Sequence, residues 1–288
     1  MRQLFITMCL CAGFLYAGAQ ADPAGKISFD YKGTPRTYAM YVPANLAPEA
    51  PLVVYVHGYG SRTRWLSDLN AAADRHGFAV CYPDGLPDSR GKDGWKVGYP
   101  PQESIVIDEA DYFRHLLDEV CGRYGLSRDN VFCAGMSNGG DLCYQFAYTD
   151  PTIFKAYASV AGLTFECTYL PERLTVPVPF MEIHGTADKT SMWAGDHENK
   201  GGWGAYIPVP LAVAAIAANN RCTTAVSDTV PSLPESGKTV IRTVYGGSPS
   251  GADVVLYRIE GGKHSWAKKD IETSEIIWNF FEPYVKKD

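Results

Sequence analysis

Gly135-Met136-Ser137-Asn138-Gly139 is the stretch of this 288-residue chain best equipped for chemistry. A serine hydroxyl becomes a nucleophile once a base takes its proton. Glycines on either side let the backbone turn sharply without a Cβ clash, so the hydroxyl stands clear of the turn. The apolar run Asn130-Val131-Phe132-Cys133-Ala134 before it reads as a buried strand. Gly140-Asp141-Leu142-Cys143-Tyr144-Gln145-Phe146-Ala147 after it reads as a helix. G-x-S-x-G between a strand and a helix is the pattern of a turn that presents a nucleophile above a sheet. A glycine-rich turn with an idle serine would look the same, so its partners must decide.

A triad of this kind runs serine, acid, histidine along the chain. His184, His197 and His264 follow Ser137. His184 leaves little strand before it for an acid, and His197 has no strand leading to it. His264 lies in Gly261-Gly262-Lys263-His264-Ser265-Trp266, directly after the last strand-like run. A glycine-rich loop there can carry an imidazole over the sheet. The acid is then Asp188, in the turn His184-Gly185-Thr186-Ala187-Asp188 after another strand. A carboxylate on one ring nitrogen fixes the tautomer and stabilises the imidazolium that forms. Asp196 is the nearest competitor but has no strand to place it, and Asp150 reads as a helix end.

Acyl transfer also needs N–H donors for the oxyanion. One is expected from the residue after the nucleophile, Asn138, and one from the loop after the third strand. That loop is His57-Gly58-Tyr59-Gly60, so the second donor is assigned to Tyr59. His57 reads as a brace for the loop, not as the base.

The elements that would carry these loops alternate. Strand-like runs begin with Lys26–Tyr31 and Arg36–Val42, an opening hairpin, and continue at Pro51–Val56, Phe78–Tyr82, Asn130–Ala134, Ala156–Val160, Pro179–Ile183 and Asp253–Ile259. Helical patterns fall at Leu66–Arg75, Glu103–Tyr124, Val209–Ala218 and Glu272–Phe281. Such alternation predicts an α/β fold with a mostly parallel twisted sheet covered by helices on both faces, the α/β-hydrolase arrangement. Asp84–Pro101 reads as a surface loop. Thr223–Ser250 reads as a polar excursion with one β-prone piece at Thr239–Tyr245.

With 46% hydrophobic residues and a net charge of −6, the chain suits one α/β domain over 22–288 and no nucleic-acid surface. Residues 1–21 read as a signal peptide: Arg2 is its positive end, Leu4–Tyr16 its apolar stretch, and Ala19-Gln20-Ala21 its cleavage site. The apolar run is too short to span a membrane comfortably. Cys9 and Cys11 lack the preceding small residues of a lipoprotein signal. The expected location is periplasmic or extracellular, where disulfides are permitted. Of the remaining cysteines, Cys81 and Cys133 fall in buried strands. Cys167 and Cys222 fall in loop-like sequence and are the favoured bridge among several possible pairings. With no C-x-x-C pair, a zinc site is not expected. No oligomeric state is legible.

Together, His57-Gly58-x-Gly60, Gly135-Met136-Ser137-Asn138-Gly139-Gly140, His184-Gly185-Thr186-Ala187-Asp188 and Gly261-Gly262-x-His264-x-Trp266 resemble the polyhydroxybutyrate-depolymerase-like and feruloyl esterases, which overlap the first carbohydrate esterase family. Tyr82-Pro83-Asp84-Gly85 and Asn220-Arg221-Cys222 extend the resemblance across nearly the whole mature chain. It implies a serine ester hydrolase without metal or organic cofactor, and a bridge from Cys222 to Cys167. The polar stretch Ser191–Trp203 after Asp188 is longer than the resemblance leads one to expect. Trp193, Trp203 and Trp266 lie near the catalytic loops in sequence, and their rings suit aromatic acids and sugar faces. Feruloyl or acetyl esters of plant polysaccharide are the expected substrates. Short hydroxyalkanoate oligomers or peptides are the alternatives. A catalytically silent carbohydrate-binding protein on the same scaffold is the rival of another class.

Overall fold

The computed structural model describes residues 25–61, 65–170, 172 and 174–287. The leader expected over residues 1–21 lies outside the described residues. In chain order the elements are β1 (Ile27–Tyr31), β2 (Thr34–Tyr41), β3 (Leu52–Val56), α1 (Ser67–His76), β4 (Ala79–Pro83), β5 (Leu86–Pro87), β6 (Asp93–Gly94), α2 (Glu109–Tyr124), β7 (Val131–Met136), α3 (Asn138–Thr149), β8 (Tyr157–Val160), β9 (Phe180–Gly185), α4 (Val209–Asn219), β10 (Thr224–Val230), β11 (Val240–Gly246), β12 (Val254–Ile259) and α5 (Thr273–Phe281).

Ten of the described strands form one sheet in the order β1-β2-β4-β3-β7-β8-β9-β12-β11-β10. From β4 to β12 neighbours are parallel, and antiparallel hairpins close both edges. The parallel strands are apolar throughout because both faces are covered. Leu52, Val54 and Val56 of β3 point to the side packed by α2, α3 and α4. Val53 and Tyr55 point to the side packed by α1 and α5. Parallel strands all finish at one edge, so the loops after β3, β7, β9 and β12 gather there. This is the edge where open α/β sheets bind ligands.

Three regions depart from the sequence reading. The helix expected from Glu103 starts at Glu109: Pro100–Ser104 is a separate 3-10 turn, and the Asp108 side chain accepts the Asp111 N–H as the N-cap. Thr224–Val230 is a strand, but an edge one with every residue exposed or half-exposed. A strand with no buried face leaves no alternating apolar signal. Asp84–Pro101 is not a surface loop, for Trp95, Val97 and Tyr99 within it are buried.

One buried carboxyl beneath this segment links fold to pH. Glu109 is 4% exposed, and its Oε1 accepts the Lys96 backbone N–H at 2.8 Å. Arg36, held by the Asp84 carbonyl and stacked 3.6 Å over the Tyr112 ring, supplies the nearby positive charge. Burial outweighs these contacts and pushes Glu109 up from 4.5 to about 7. The folded chain therefore keeps a proton that the unfolded chain has released. This contribution to stability is full below the unfolded value and is lost as pH rises through the folded one. The unfolding free energy is expected to fall between about pH 5 and 7, by up to about 1 kcal/mol per pH unit. Denaturant titrations should show Glu109→Gln with a flatter profile over that range.

Candidate active site

The elbow is built by close backbone approach. Ser137 adopts φ 55°, ψ −122°, a left-handed conformation that a residue with a Cβ rarely takes. Its N–H donates to the Val160 carbonyl at 2.8 Å, which ties the turn to β8. A Cβ on Gly135 would lie 2.1 Å from the Gly139 carbonyl oxygen, and one on Gly139 would lie 2.0 Å from that of Val56. Only glycine fits at either place, so the pattern read in the sequence is a steric requirement here.

His264 reaches this serine from the loop after β12. Its Nε2 is 2.9 Å from Ser137 Oγ, and its Nδ1 is 2.7 Å from Asp188 Oδ2. With Nδ1–H donating to the carboxylate, the Nε2 lone pair is free to accept the serine proton. The other oxygen, Asp188 Oδ1, accepts the N–H groups of Thr190 and Ser191 at 2.7 and 2.8 Å. Backbone bonds stitch the acid and base loops together: Thr186 N–H to Ile259 and Ala187 N–H to Gly262, each 2.9 Å. A Cβ on Gly185 would lie 2.3 Å from the Gly262 carbonyl group. Ser137, Asp188 and His264, predicted from three separate loops, thus meet as one hydrogen-bonded chain.

Two backbone N–H groups lie in segments next to the nucleophile. Asn138 opens α3, where a helix leaves its first N–H groups without intrahelical acceptors. In the facing loop, Gly60 N–H goes to Asp93 and Ser61 N–H to Gly58. The Tyr59 N–H has no acceptor among the described residues. Gly58 packs so closely that a Cβ on it would sit 3.3 Å from Ser137 Cβ. His57 is a brace: its Nε2 accepts the Gly85 N–H at 3.0 Å and its Nδ1 sits 2.8 Å from the Gly58 carbonyl. Burial lowers its pKa, which suits a neutral ring.

Trp95 ties the nucleophile to the oxyanion loop, and nothing in its polar, glycine-rich surroundings signalled this. Its backbone N–H and carbonyl are clamped by the Asn138 side chain at 2.7 and 3.0 Å, and its Nε1 donates to the His57 carbonyl at 2.9 Å. Asn138 therefore contributes its side chain as well as its main chain.

The turn carrying Asp188 has a second support. His184 Nδ1 lies 2.8 Å from Glu182 Oε1, and His184 Nε2 lies 2.8 Å from the Ser191 carbonyl and 3.8 Å from Asp188 Oδ2. All three side chains are fully buried. Burial disfavours the charged imidazole, but Glu182 outweighs it and raises the His184 pKa. Burial likewise raises that of Glu182. Both shifts keep a proton in the pair. A period-2 strand pattern hides this couple: both side chains occupy core positions of β9.

Aromatic rings flank the oxyanion loop. Tyr59, Tyr99 and Trp203 contact one another with ring centroids 5.1 to 5.6 Å apart, and Phe165 joins Tyr99 at 5.5 Å. Tyr99 is anchored by donating to Asp141 at 2.5 Å, a carboxyl pushed up to about 8 by burial. Trp203 thus packs on the ring of Tyr59. Trp193 is half-buried, with its ring 6.0 Å from that of His184. Trp266 does not present a face to substrate: it is 5% exposed, packs on Tyr55 and donates to Asp68 on the α1 side. The Cys167–Cys222 bridge is absent too, and both are free thiols. Cys167 lies against Gly98, next to the aromatic wall, whereas Cys222 points to the Ala252 carbonyl before β12 begins. Among the described residues no three His, Cys, Asp or Glu side chains are grouped to hold a metal ion.

The His184 couple can be tested. His184→Asn should lower kcat about tenfold with little change in KM, because the Asp188 turn loses its support while the substrate contacts stay. Steady-state kinetics on a small soluble ester, alongside a thermal melt, will show it.

The family model described as esterase PHB depolymerase matches residues 36–171, a span that holds Tyr59, Ser137 and Asn138. NocK of Nocardia uniformis subsp. tsuyamanensis is 28% identical, over 81% of this chain and 71% of its own. The bifunctional acetylxylan esterase/xylanase XynS20E of Neocallimastix patriciarum is 28% identical over 55% of this chain, which spans only 23% of that protein. Feruloyl esterase B of Talaromyces stipitatus is 28% identical over 48% of this chain and 38% of its own. Among solved structures, an S-formylglutathione hydrolase from Agrobacterium tumefaciens aligns with a TM-score of 0.62 at 14% identity, covering 91% of this chain and 95% of that one. An acetyl xylan esterase from Aspergillus awamori aligns at 0.55 and 18% identity, covering 87% and 94%. These likenesses show the α/β-hydrolase fold. Through residues 36–171, which hold the serine elbow and the loop of Tyr59, the chain is similar to the esterase PHB depolymerase family.

Proposed function

We propose that this chain is a serine carboxylic ester hydrolase that removes feruloyl or acetyl groups from plant polysaccharide. The observation that carries the reading is the hydrogen-bonded chain Ser137 Oγ, His264, Asp188, at 2.9 and 2.7 Å. Ser137 Oγ attacks the ester carbonyl as His264 Nε2 takes its proton. The carbonyl oxygen gains negative charge and meets the N–H groups of Tyr59 and Asn138. His264 then returns the proton to the leaving alcohol, and an acyl group remains on Ser137. Water repeats the sequence in the second half and releases the acid. Donors held in place act on charge that develops only in the transition state, and each contributes roughly 3 kcal/mol.

The half-buried rings of Tyr59 and Trp203, backed by the buried Tyr99, support the reading of an acyl group with a ring. They lie on the oxyanion side of the serine, and offset rings prefer such edges and faces. Action outside the cytoplasm rests on the leader read in residues 1–21. No described helix is long and apolar enough to cross a membrane.

Ser137→Ala should lower turnover by about 10⁴-fold or more while the melting temperature stays near that of the parent chain. Residual activity within tenfold of the parent would remove Ser137 from its role. A panel of methyl ferulate, acetylated xylan, p-nitrophenyl acetate and a short hydroxybutyrate oligomer tests the substrate. The first two should give the highest kcat/KM. Trp203→Ala should raise KM for methyl ferulate about tenfold and that for p-nitrophenyl acetate less. A hydroxybutyrate oligomer that outranks both plant esters would overturn the substrate reading and leave the esterase in place.

A further inference from the structure

The catalytic edge of the sheet carries a second feature beside His264. A cleft of about 550 Å³ is lined by Lys238, Lys263, Ser265, Lys268, Lys269 and Asp270, among others. Its position follows from strand register. Val240 of β11 pairs with Ile259, and Ile259 lies opposite Gly185, so β11 starts at the edge where β9 and β12 end. Lys238 just precedes β11, and Lys263 and Ser265 flank the catalytic histidine in sequence.

The charge of this cleft is uneven. Lys238 pairs with Asp270, which also accepts the Ser236 hydroxyl at 2.7 Å and is 4% exposed. Asp270 is therefore already committed. Lys263, Lys268 and Lys269 are exposed and make no ion pair with a described residue. Three uncompensated lysines share one concave surface in a chain whose net charge is −6. Like charges gathered in a cleft repel one another and concentrate anions.

Their side of the site matters. His264 delivers its proton to the leaving oxygen, so the alcohol half of the ester passes the His264 loop. The acyl half lies toward Tyr59 and Trp203. We infer that the lysine cleft is a subsite for the alcohol half of the substrate, and that this half is a polysaccharide bearing uronate carboxylates. The inference rests on the esterase reading for its direction, but the cleft can be tested by binding alone. Exposed lysine–carboxylate contacts are individually weak and screened by salt, so the effect should be collective and salt-sensitive.

The test uses the full chain carrying Ser137→Ala, run by affinity electrophoresis through gels containing polygalacturonate or neutral arabinoxylan. Polygalacturonate should bind at least about tenfold more tightly at low salt, and several-fold less tightly at about 0.2 M salt. Adding Lys263→Ser, Lys268→Ser and Lys269→Ser should erase that preference. The same three changed to Arg should retain it. Lys32→Ser, Lys155→Ser and Lys287→Ser, which alter the net charge equally from other surfaces, should leave it. Equal affinity for both polymers, or a preference that survives loss of the cleft lysines, overturns the proposal. Turnover of p-nitrophenyl acetate by the unsubstituted chain separates the two readings. Polyuronate binding without turnover would sink the esterase and keep the cleft. Turnover without polyuronate binding would sink the cleft and keep the esterase.

Discussion

Ser137 holds its left-handed backbone because the chain around it is packed atom against atom. The Gly135 and Gly139 positions each lie so near a carbonyl oxygen that a methyl group could not be placed there. The Ser137 N–H is fixed to Val160 on the next strand. Local strain of this kind persists only where the surroundings over-determine it. Here β3, β7 and β8 do so. Once the elbow is set, α3 must leave at its fixed angle from Asn138, and the Ser137 hydroxyl is held within reach of His264. The other catalytic loops have only to reach that point.

They reach it through buried polar contacts. Trp95 is gripped at its main chain by Asn138 and donates through its indole to the His57 carbonyl, so the elbow and the loop after β3 are tied together. His184, paired with Glu182, holds Ser191, and Ser191 in turn donates to Asp188. Hydrogen bonds in a dry interior are strong when satisfied and costly when broken. The site therefore sits on contacts that resist displacement. This is what acyl transfer requires, since donors and base must be in place before charge develops.

The two flanks of the serine differ in chemistry. Toward Tyr59 the surface is aromatic, with Trp203 edge-on to Tyr59 and the buried Tyr99 behind them. Toward His264 it carries the exposed Lys263, Lys268 and Lys269. An ester is itself two-sided, with an acyl half and an alcohol half. The proposed proton path of the triad would assign the halves to opposite flanks.

That Ser137, Asp188 and His264 would meet was readable from one rule: chemistry-bearing residues follow strands, and parallel strands end on one edge. That rule needs only apolar runs, glycines and chain order, which are local properties. What a side chain touches is not local. Trp266 stands two residues from the base, yet its ring turns into the α1 side and donates to Asp68. Trp95 lies in a polar, glycine-rich stretch, yet it is fully buried. Glu182 and His184 look like ordinary residues of a core strand. Their pairing exists because both project to the same face of β9, beneath the Asp188 turn. Cys167 and Cys222 are loop residues, but one lies beside the aromatic wall and the other near the start of β12, so loop character could not pair them. The edge strand β10 escaped notice because hydrogen bonds to β11, not burial, hold it. By itself the sequence determined the fold class and the order of the catalytic loops, because these depend on periodicity and steric limits within short segments. Tertiary structure alone decided which residues support the Ser137–His264–Asp188 chain and which rings pack beside the Tyr59 loop, because these depend on surfaces that meet only when distant segments pack.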